Sequence, residues 1–485
     1  MNVKIIGRML SFIIAIEAVF MLPAMALNFA DGETRSAFAF IVVIAGMLLL
    51  AGLTYLLCKG GSSAFYASEG FACVGLGWTL MSVFGCLPFV ISGEIPNFVD
   101  AFFETVSGFT TTGASILPNV EVISRGMLYW RGFTHWLGGM GMLVFLLAVI
   151  PMADKTSGYT MHILRAESPG PSVDKLAPRM RKTARLLYGM YIFLSVANYV
   201  CLRFARMPAF DALCIMFASA GTGGFGVRAD SLASYTPAAQ IVTIIFPLLF
   251  GANFSIYYML IIRKFRAVLR NEELRLYLAI FVLATAAIAL NIRGYFATFG
   301  EVLRHAAFQV STIMTTTGFS TTDSNLWPPF SKAILLCLMI TGACAGSTGG
   351  GIKCARLLLY FKSLLRNVRQ LLHPNRVEMV RVNGQVIPET VLKNTNAYLV
   401  AYMIISVASV LIISVDGFSV ESNLSAVLAC FNNIGPGFDA FGVTSNYAAL
   451  SVLSKLVLSF DMLCGRLEIF PILALLTRSA WSRKV

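Results

Sequence analysis

Long stretches without charged residues constrain this chain more than any other feature. Residues 10–30 and 38–58 each provide about 20 residues almost free of charge, enough to cross about 30 Å of hydrocarbon. Similar apolar runs recur at 71–93, 126–150, 186–204, 238–262, 276–292, 333–352, 396–415 and 450–475. Only 13% of the 485 residues are charged, against about 25% in a typical soluble protein. The sequence therefore predicts an all-α integral membrane protein with about ten spanning helices.

The basic residues are concentrated in a few loops. They gather between Lys155 and Arg185, Arg263 and Arg275, and Lys353 and Lys393, and in the tail at Arg478, Arg483 and Lys484. These loops fall on one side of the membrane if Lys4 and Arg8 share that side, which is the positive-inside pattern. The distribution predicts a multi-pass protein with both termini in the cytoplasm. It also explains the net charge of +13 without a nucleic-acid partner.

Motifs of enzymes and nucleotide-binding proteins are missing from the sequence. There is no HExxH, no GxSxG with a placed histidine and no GxGxxG after a strand pattern. The ten cysteines form no CxxC pair and fit the interpretation of small buried hydrophobes. We therefore expect neither an enzyme nor a cofactor bound by this chain.

Four segments share one plan: an apolar span, a short amphipathic stretch, a polar turn with glycine, and a second apolar span. The turns comprise Ser107 to Ser115, Ala220 to Phe225, Met314 to Ser320, and Asn432 to Phe438. Aligning Gly113, Gly223, Gly318 and Gly435 gives gaps of 110, 95 and 117 residues, hence a period near 100. Residues 1–60 stand outside this period as a two-helix leader.

The stretch before each turn is too short to span a membrane. Asn97 to Phe109 is 13 residues, which as a helix would reach about 20 Å. The chain must therefore enter partway and return on the same side. Non-helical backbone at that depth survives only if it lines a wet cavity or is buried in protein. Four such turns around one axis predict one central pore.

The composition of the turns suits a dehydrated cation. Backbone carbonyls and threonine hydroxyls can replace its water, and glycine allows consecutive carbonyls to face one way. The partially negative C-terminal end of each short helix would point toward the axis. Acidic residues begin these helices: Asp100, Glu104, Asp211, Glu301 and Glu421. They are either helix caps or a cation-attracting outer vestibule, and both can hold.

At this point the chain resembles a known group, the TrkH/KtrB/HKT superfamily of K+ and Na+ translocating subunits. The resemblance covers nearly the whole chain. Besides the turns, it includes Trp130 to Gly141, Gly342 to Lys353 and Gly465 to Pro471. It implies a two-helix leader plus four pseudo-symmetric helix–pore-loop–helix repeats, and a homodimer with one pore per subunit. It also implies a bacterial inner-membrane location and a cytosolic partner, a TrkA-type nucleotide-binding regulatory ring.

The corresponding division of the chain is a leader at 1–60 and repeats at 61–155, 156–272, 273–392 and 393–485. The resemblance implies a selectivity filter at Thr111, Thr112, Gly113, Thr222, Gly223, Thr316, Thr317, Gly318, Asn433, Ile434 and Gly435. Bound K+ is expected at Thr112, Gly113, Thr222, Gly223, Thr317, Gly318, Ile434 and Gly435. In this family, serine at the first filter glycine goes with Na+ preference, so four glycines favour K+.

A glycine-rich interruption in the third repeat predicts a gate. Gly342 to Gly351 contains five glycines in ten residues, a poor sequence for a continuous helix. Close helix packing through small residues is one interpretation. The other, which the family also implies, is a mobile loop that obstructs the pore beneath the filter. The predicted gate residues are Gly346, Ser347, Thr348, Gly349, Gly350, Gly351, Lys353 and Arg466.

Arg466 lies within the last apolar span, where an arginine normally faces a cavity or a partner. It predicts either an ion pair with another repeat or an electrostatic barrier below the filter. Glu468 is two residues away and so a poor direct partner on a helix. Lys353 is either a second barrier or the start of the basic cytoplasmic face. His135 fits packing better than proton transfer.

The predicted function is translocation of K+ through a channel-like filter, gated by the intramembrane loop and the cytosolic partner. A Na+-conducting or weakly selective pathway is the nearest alternative. An ion-coupled, alternating-access transporter also uses internal repeats and broken helices. Four similar turns fit a fixed axial filter better than two inverted halves.

Overall fold

A computed structural model describes residues 2–59, 67–139, 141, 180–375 and 378–477, and most of these residues are helical. The helices are α1 (Val3–Phe20), α2 (Leu22–Ala30), α3 (Thr34–Leu57), α4 (Ala67–Ser92), α5 (Phe98–Phe109), α6 (Arg125–Gly139), α7 (Met180–Phe204), α8 (Ala209–Gly221), α9 (Pro237–Phe250), α10 (Phe254–Ile261), α11 (Phe265–Leu269), α12 (Glu272–Asn291), α13 (Phe299–Met314), α14 (Pro329–Thr341), α15 (Cys354–Leu372), α16 (Glu389–Ile413), α17 (Val420–Phe431), α18 (Val452–Arg466) and α19 (Phe470–Leu476). Between α15 and α16, the strands β1 (Arg381–Val382) and β2 (Gln385–Val386) form an antiparallel hairpin.

Six segments of the described chain are long and apolar enough to cross a membrane. They are Val3–Ala30, Thr34–Leu57, Glu69–Ser92, Arg185–Phe204, Glu272–Asn291 and Glu389–Asp416. A seventh is added if α9 and α10 count as one span, although the two helices are bent by 87° at their break. The protein is thus a multi-pass membrane protein, with fewer straight spans in its described part than the ten apolar runs suggested.

The difference arises where apolar sequence continues through a break in the helix. In the third repeat, α14 ends at Thr341 and the chain is non-helical until α15 begins at Cys354. In the fourth repeat, α18 ends at Arg466, and Glu468 and Ile469 adopt positive φ angles of 57° and 66°. The run at 126–150 is described only as far as α6 and Gly141. A hydropathy window detects a run of apolar residues but not a turn of the backbone within that run.

A short helix precedes each of the four turns, as the sequence predicted. These pore helices are α5, α8, α13 and α17, with 12, 13, 16 and 12 residues. Asn97, Thr298 and Ser419 cap three of them by accepting backbone N–H bonds, which satisfies donors that the first turn leaves unpaired. Helices of this length reach about 18–24 Å, which is less than the thickness of a bilayer's hydrocarbon core, about 30 Å.

Residues of all four turns are buried, among them Thr112, Thr222, Thr317 and Asn433. The leader helices α1 to α3 pack on α4 and α6 of the first repeat.

Two predicted repeat boundaries, 60/61 and 155/156, lie outside the described residues, as do the basic residues from Lys155 to Arg179 and the tail. The boundary at 272/273 falls in the first turn of α12, and the one at 392/393 falls inside α16.

Candidate functional site

The four polar turns adopt the same backbone conformation. In each, a residue in the left-handed region is followed by one further residue and then by a glycine that is also left-handed. The pairs and their φ angles are Thr111 (55°) and Gly113 (83°), Thr222 (56°) and Gly224 (80°), Thr316 (59°) and Gly318 (80°), and Asn433 (55°) and Gly435 (99°). A glycine adopts such an angle without the steric cost that other residues meet.

The second turn is displaced by one residue from the sequence alignment. Equivalent residues of the turns bond to the end of the pore helix in the same way. The backbone N–H groups of Thr112, Gly223, Thr317 and Ile434 donate to the carbonyls of Ser107, Ala218, Thr312 and Ala429 at 2.9, 2.8, 2.7 and 2.8 Å, respectively. Gly223 therefore corresponds to Thr112, and Gly224 to Gly113. Two adjacent glycines made the register ambiguous in sequence, and only the backbone conformation distinguishes them.

The turns contact one another in a closed ring. A Cβ atom at Gly113 would collide with the Gly223 carbonyl oxygen of the second turn. A Cβ at Gly224 would meet the Thr317 oxygen, and one at Gly318 the Ile434 oxygen. At Gly435, a Cβ would lie 2.6 Å from the Thr112 oxygen, which returns to the first turn. The order is thus one, two, three, four and back to one.

This arrangement brings four equivalent carbonyl oxygens together, those of Thr112, Gly223, Thr317 and Ile434. Each lies against the glycine of a neighbouring turn, at the C-terminal end of a pore helix, where the backbone dipole is partially negative. A ring of carbonyls is the kind of ligand that replaces the water of a monovalent cation. The predicted filter residues of all four turns are therefore assembled at one place, together with Gly224.

Hydroxyl groups support two of the four turns from within. Thr112 Oγ1 lies 2.8 Å from Thr110 Oγ1, and Thr317 Oγ1 lies 2.7 Å from Thr315 Oγ1. The corresponding positions are glycine in the second turn and Asn432 and Ile434 in the fourth. The ring is thus pseudo-symmetric in backbone but not in side chains.

A buried ion pair that the sequence did not predict joins the first and second turns. Arg131 Nε donates to Glu104 Oε1 at 2.6 Å, and both side chains are almost fully buried. Glu104 also accepts from the Ile116 N–H at 2.9 Å, and Arg131 donates to the Gly226 carbonyl at 3.1 Å. The guanidinium lies 3.4 Å above the Phe225 ring. The only sequence signal was an arginine and a glutamate inside apolar segments.

The other acidic residues of the pore helices are mostly paired with neighbours. Asp100 bonds to Lys455 at 2.6 Å, Glu421 lies 3.8 Å from Lys332, and Asp211 accepts from the Tyr235 hydroxyl at 2.7 Å. Glu301 forms a capping box with Thr298. The capping interpretation therefore applies to Glu301, while Glu104 and Asp100 connect separate elements.

The glycine-rich loop between α14 and α15 lies directly against the third and fourth turns. The Gly350 N–H donates to Thr316 Oγ1 at 2.7 Å. A Cβ at Gly349 would lie 2.9 Å from the Thr315 carbonyl oxygen, and one at Gly350 would collide with the Asn432 carbonyl. The loop is also bound to the break between α9 and α10, where the Cys344 N–H donates to Gly251 at 3.0 Å.

Arg466 connects this loop to the first repeat. Its Nη1 donates to the Thr348 carbonyl at 2.6 Å, and its Nη2 donates to the carbonyls of Gly139, at 2.8 Å, and Gly138. Lys353 Nζ donates to the Gly349 carbonyl. The two cations therefore hold the loop by its carbonyl oxygens.

Glu468 pairs with a different arginine, as its spacing from Arg466 suggested. Its carboxylate bonds to Arg356, whose guanidinium lies 4.1 Å above the Tyr398 ring. His135 packs behind the second turn, with Nδ1 2.7 Å from the Gly108 carbonyl oxygen and its ring 4.1 Å from that of Phe225. This position is consistent with a packing role for His135.

Comparison with known proteins gives the same classification. The family model of TrkH, described as a cation transport protein, matches residues 36–291 and 296–482. The chain belongs to the TrkH family. This membership confirms the resemblance inferred from the sequence motifs.

Two curated relatives of this TrkH family member match it from end to end. The Trk system potassium uptake protein TrkH of Salmonella typhimurium is 34% identical, over 99% of this chain and 100% of that protein. The Trk system potassium uptake protein TrkG of Escherichia coli K12 is 32% identical, over 99% of each. The crystal structure of the potassium transporter TrkH from Vibrio parahaemolyticus matches with a TM-score of 0.86 at 30% identity, over 99% of this chain and 100% of that one. This match confirms the predicted fold class.

Proposed function

We propose that this TrkH family member moves K+ across a bacterial inner membrane through the ring of four turns. The observation that carries the proposal is the closure of the ring, in which each turn's glycine lies against a carbonyl oxygen of a neighbouring turn. A fixed ring of carbonyls suits a dehydrated monovalent cation. Bound K+ is assigned to the carbonyl oxygens of Thr112, Thr222, Gly223, Thr317 and Ile434 and to the hydroxyl oxygens of the threonines among them. The neighbouring glycines Gly113, Gly318 and Gly435 belong to the same sites.

K+ is favoured over Na+ because all four turns keep glycine at the left-handed position and because curated relatives are named potassium uptake proteins. A Na+-conducting or weakly selective pathway is the alternative. This alternative is supported by the second turn, where glycines replace hydroxyl-bearing residues of the first and third turns. Alternating access is disfavoured because four turns close one ring rather than dividing between two inverted halves.

The loop from Gly342 to Gly351 is proposed as the gate. It contacts the third and fourth turns and is held by Arg466 and Lys353. Two cations below a K+ site would repel a conducted ion at short range. Moving the loop would remove both the backbone obstruction and this positive charge from the pathway.

The remaining assignments follow from the family and the charge distribution. They are a homodimer, a cytosolic TrkA-type nucleotide-binding ring as regulator, and termini in the cytoplasm. The amphipathic α15 and the hairpin after it expose basic residues, including Arg369 and Arg381, which could contact such a partner. Control by a nucleotide would enter through that partner.

The test is uptake of labelled Rb+ into liposomes that contain the purified protein, with K+, Na+ or choline as competitor. Wild-type uptake should be blocked far better by K+ than by Na+. Gly113→Ser should degrade this discrimination, since its side chain would collide with the Gly223 carbonyl. Gly300→Ser is the matched control, because a Cβ there meets no heavy atom within 4 Å.

Equal competition by Na+ in the wild type would instead establish a weakly selective pathway. A Gly113→Ser variant that folds and keeps wild-type discrimination would remove the filter from this ring. If the wild type takes up no Rb+ even with the regulatory ring added, the proposal of a conducting pore fails.

A further inference from the structure

A buried carboxyl lies in the middle of α18, outside the ring of turns. Asp461 is fully buried, and its Oδ1 accepts a hydrogen bond from Ser409 Oγ at 2.9 Å. Its Oδ2 has no hydrogen-bond partner among the described residues. Burying an ionisable side chain inside a membrane protein is energetically costly, so such a residue usually marks a functional site. The filter and the gate make no use of it.

The groups that face Asp461 provide no counter-charge. They are Tyr402 on α16, Cys430 on α17 and Cys464 on α18 itself. On α5, which also packs against α18, Asp100 is bonded to Lys455 and Glu104 to Arg131. The sequence of α19 contains no titratable residue, and Arg466 is bonded to the carbonyls of Thr348 and Gly139.

An ionised Asp461 would therefore be a charge without a counter-charge in a medium of low dielectric constant, which is energetically unfavourable. Binding a proton removes this cost. A metal ion fits the same place poorly. No group of three or more His, Cys, Asp or Glu residues in the described chain could hold one.

A stripe of polar side chains leads from Asp461 to the fourth turn. Ser409, Ser406 and Tyr402 are spaced by three and four residues, so they share one face of α16. Asn432 Nδ2 donates to the Tyr402 hydroxyl at 2.8 Å, and the Tyr402 ring stacks on Phe431 with centroids 4.8 Å apart. Asn432 directly precedes the left-handed residue of the turn.

A second contact joins the same two places through the backbone. The carbonyl of Met462, the residue after Asp461, accepts from Asn433 Nδ2 at 2.9 Å. The same Nδ2 donates to Thr112 Oγ1 at 3.0 Å. Asp461 is therefore connected to the fourth turn through both α16 and α18.

We propose that Asp461 is a proton-binding site, and that its bound proton keeps the fourth turn in the conformation that conducts. The proposal rests on the proposed K+ translocation and adds a sensitivity to protons. When the proton leaves, the carboxylate draws hydroxyl donors of the stripe toward itself. The bonds to Asn432 and Asn433 then rearrange, and flux falls.

The test combines infrared spectroscopy with uptake on the full-length protein in lipid. A protonated Asp461 contributes a carboxylic C=O stretching band, which shifts in D2O and is absent from the Asp461→Asn variant. Wild-type Rb+ uptake should fall severalfold as the pH is raised from neutral through the range in which the carboxylic band disappears. Uptake by Asp461→Asn, which is permanently neutral and keeps an acceptor for Ser409, should stay at the neutral-pH level. Glu33→Gln, an exposed acid-to-amide change in the leader, should behave as wild type.

Two results would overturn the proposal: no carboxylic band assignable to Asp461, or an Asp461→Asn pH profile equal to that of the wild type. If Asp461→Asn does not fold, Ser409→Ala serves instead, and its loss of a donor should shift the carboxylic band in frequency. An unshifted band in that variant would equally contradict the assignment. A wild-type protein that shows the band but never takes up Rb+ would remove the proposed K+ flux and, with it, the coupling part of this inference.

Discussion

Asn433 Nδ2 in the fourth turn donates to Thr112 Oγ1 in the first turn at 3.0 Å, although the two residues are 321 positions apart. The same amide nitrogen donates to the Met462 carbonyl at 2.9 Å. One side chain thus joins the last turn to the first and to the helix beneath it. This contact closes the ring on the side where the chain does not run continuously from one repeat to the next.

Replacing Asn433 should loosen the ring where it closes. Asn433→Ala removes the bonds to the Met462 carbonyl and to Thr112 Oγ1, and a hydrogen bond contributes about 0.5–1.5 kcal/mol of net stability. We expect a lower thermal midpoint and weaker discrimination between K+ and Na+ in Rb+ uptake. Asn383→Ala is the matched control, because Asn383 has a similar left-handed φ of 51° in the distant hairpin. Asn383 Oδ1 accepts an exposed bond from the Glu272 N–H at 2.9 Å. Equal effects of both substitutions would therefore contradict a special role for the buried contacts of Asn433.

The displaced register of the second turn predicts different behaviour for two adjacent glycines. In Gly223→Ala, the new methyl group meets the His135 ring, a side chain that can be shortened. In Gly224→Ala, it meets the Thr317 carbonyl oxygen at a position with φ of 80°. Uptake by Gly223→Ala should therefore be partly restored by adding His135→Ala, whereas uptake by Gly224→Ala should not.

Measuring uptake for the two single and two double variants, with expression and thermal stability alongside, checks this prediction. His135→Ala alone provides the reference for the loss of its bond to Gly108. Rescue of both glycine variants, or of neither, would argue against the register that the structure gives.

Local features of the fold and the site could be predicted from the sequence, and non-local ones could not. The glycine turns and the short helices before them were predictable because their signals lie within about 20 consecutive residues. The pair Gly223 and Gly224 could not be ordered, since either residue tolerates a left-handed conformation. The Glu104–Arg131 ion pair joins different helices, and no sequence periodicity reports such a contact.

In the described part of the chain, the straight spans are fewer than the apolar runs for a related reason. The apolar sequence from 238 to 262 predicted one span, yet α9 and α10 meet at 87°. The break at Gly251 accepts a hydrogen bond from Cys344 of the glycine-rich loop, so it depends on a partner 93 residues away. A hydropathy window does not contain that partner.

An acid-sensitive contact holds the fourth pore helix, α17, at its N-terminal end. The Asp439 carboxylate accepts from Ser419 Oγ at 2.6 Å and from Ser422 Oγ at 2.7 Å. These hydroxyl donors lower the pKa of Asp439 below its ordinary value, first through Ser419 and then through Ser422. Because the folded pKa is lowered, this contribution to stability is present above the unfolded value of about 4 and is lost as the pH falls further.

The thermal midpoint of the wild type should therefore decline below about pH 4 more steeply than that of Asp439→Asn. The variant should start lower at neutral pH, because an amide is a weaker acceptor than a carboxylate. Asp230→Asn, an exposed aspartate whose side chain makes no such pair of bonds in the described structure, is the control. Parallel acid profiles for the wild type and Asp439→Asn would contradict this account.

Removing the arginine that holds the loop should increase ion flux. Arg466→Ala deletes the donors to Thr348 and Gly139 and takes one positive charge from below the ring, so both the obstruction and the electrostatic barrier weaken. We expect faster Rb+ uptake with unchanged competition between K+ and Na+, because the bonds within the four turns remain. Arg466→Lys should be intermediate, since it keeps the charge without the forked geometry. Arg263→Ala, which replaces an exposed arginine, should leave uptake unchanged. Lost uptake in a well-expressed Arg466→Ala protein would show that Arg466 maintains the pathway rather than closing it.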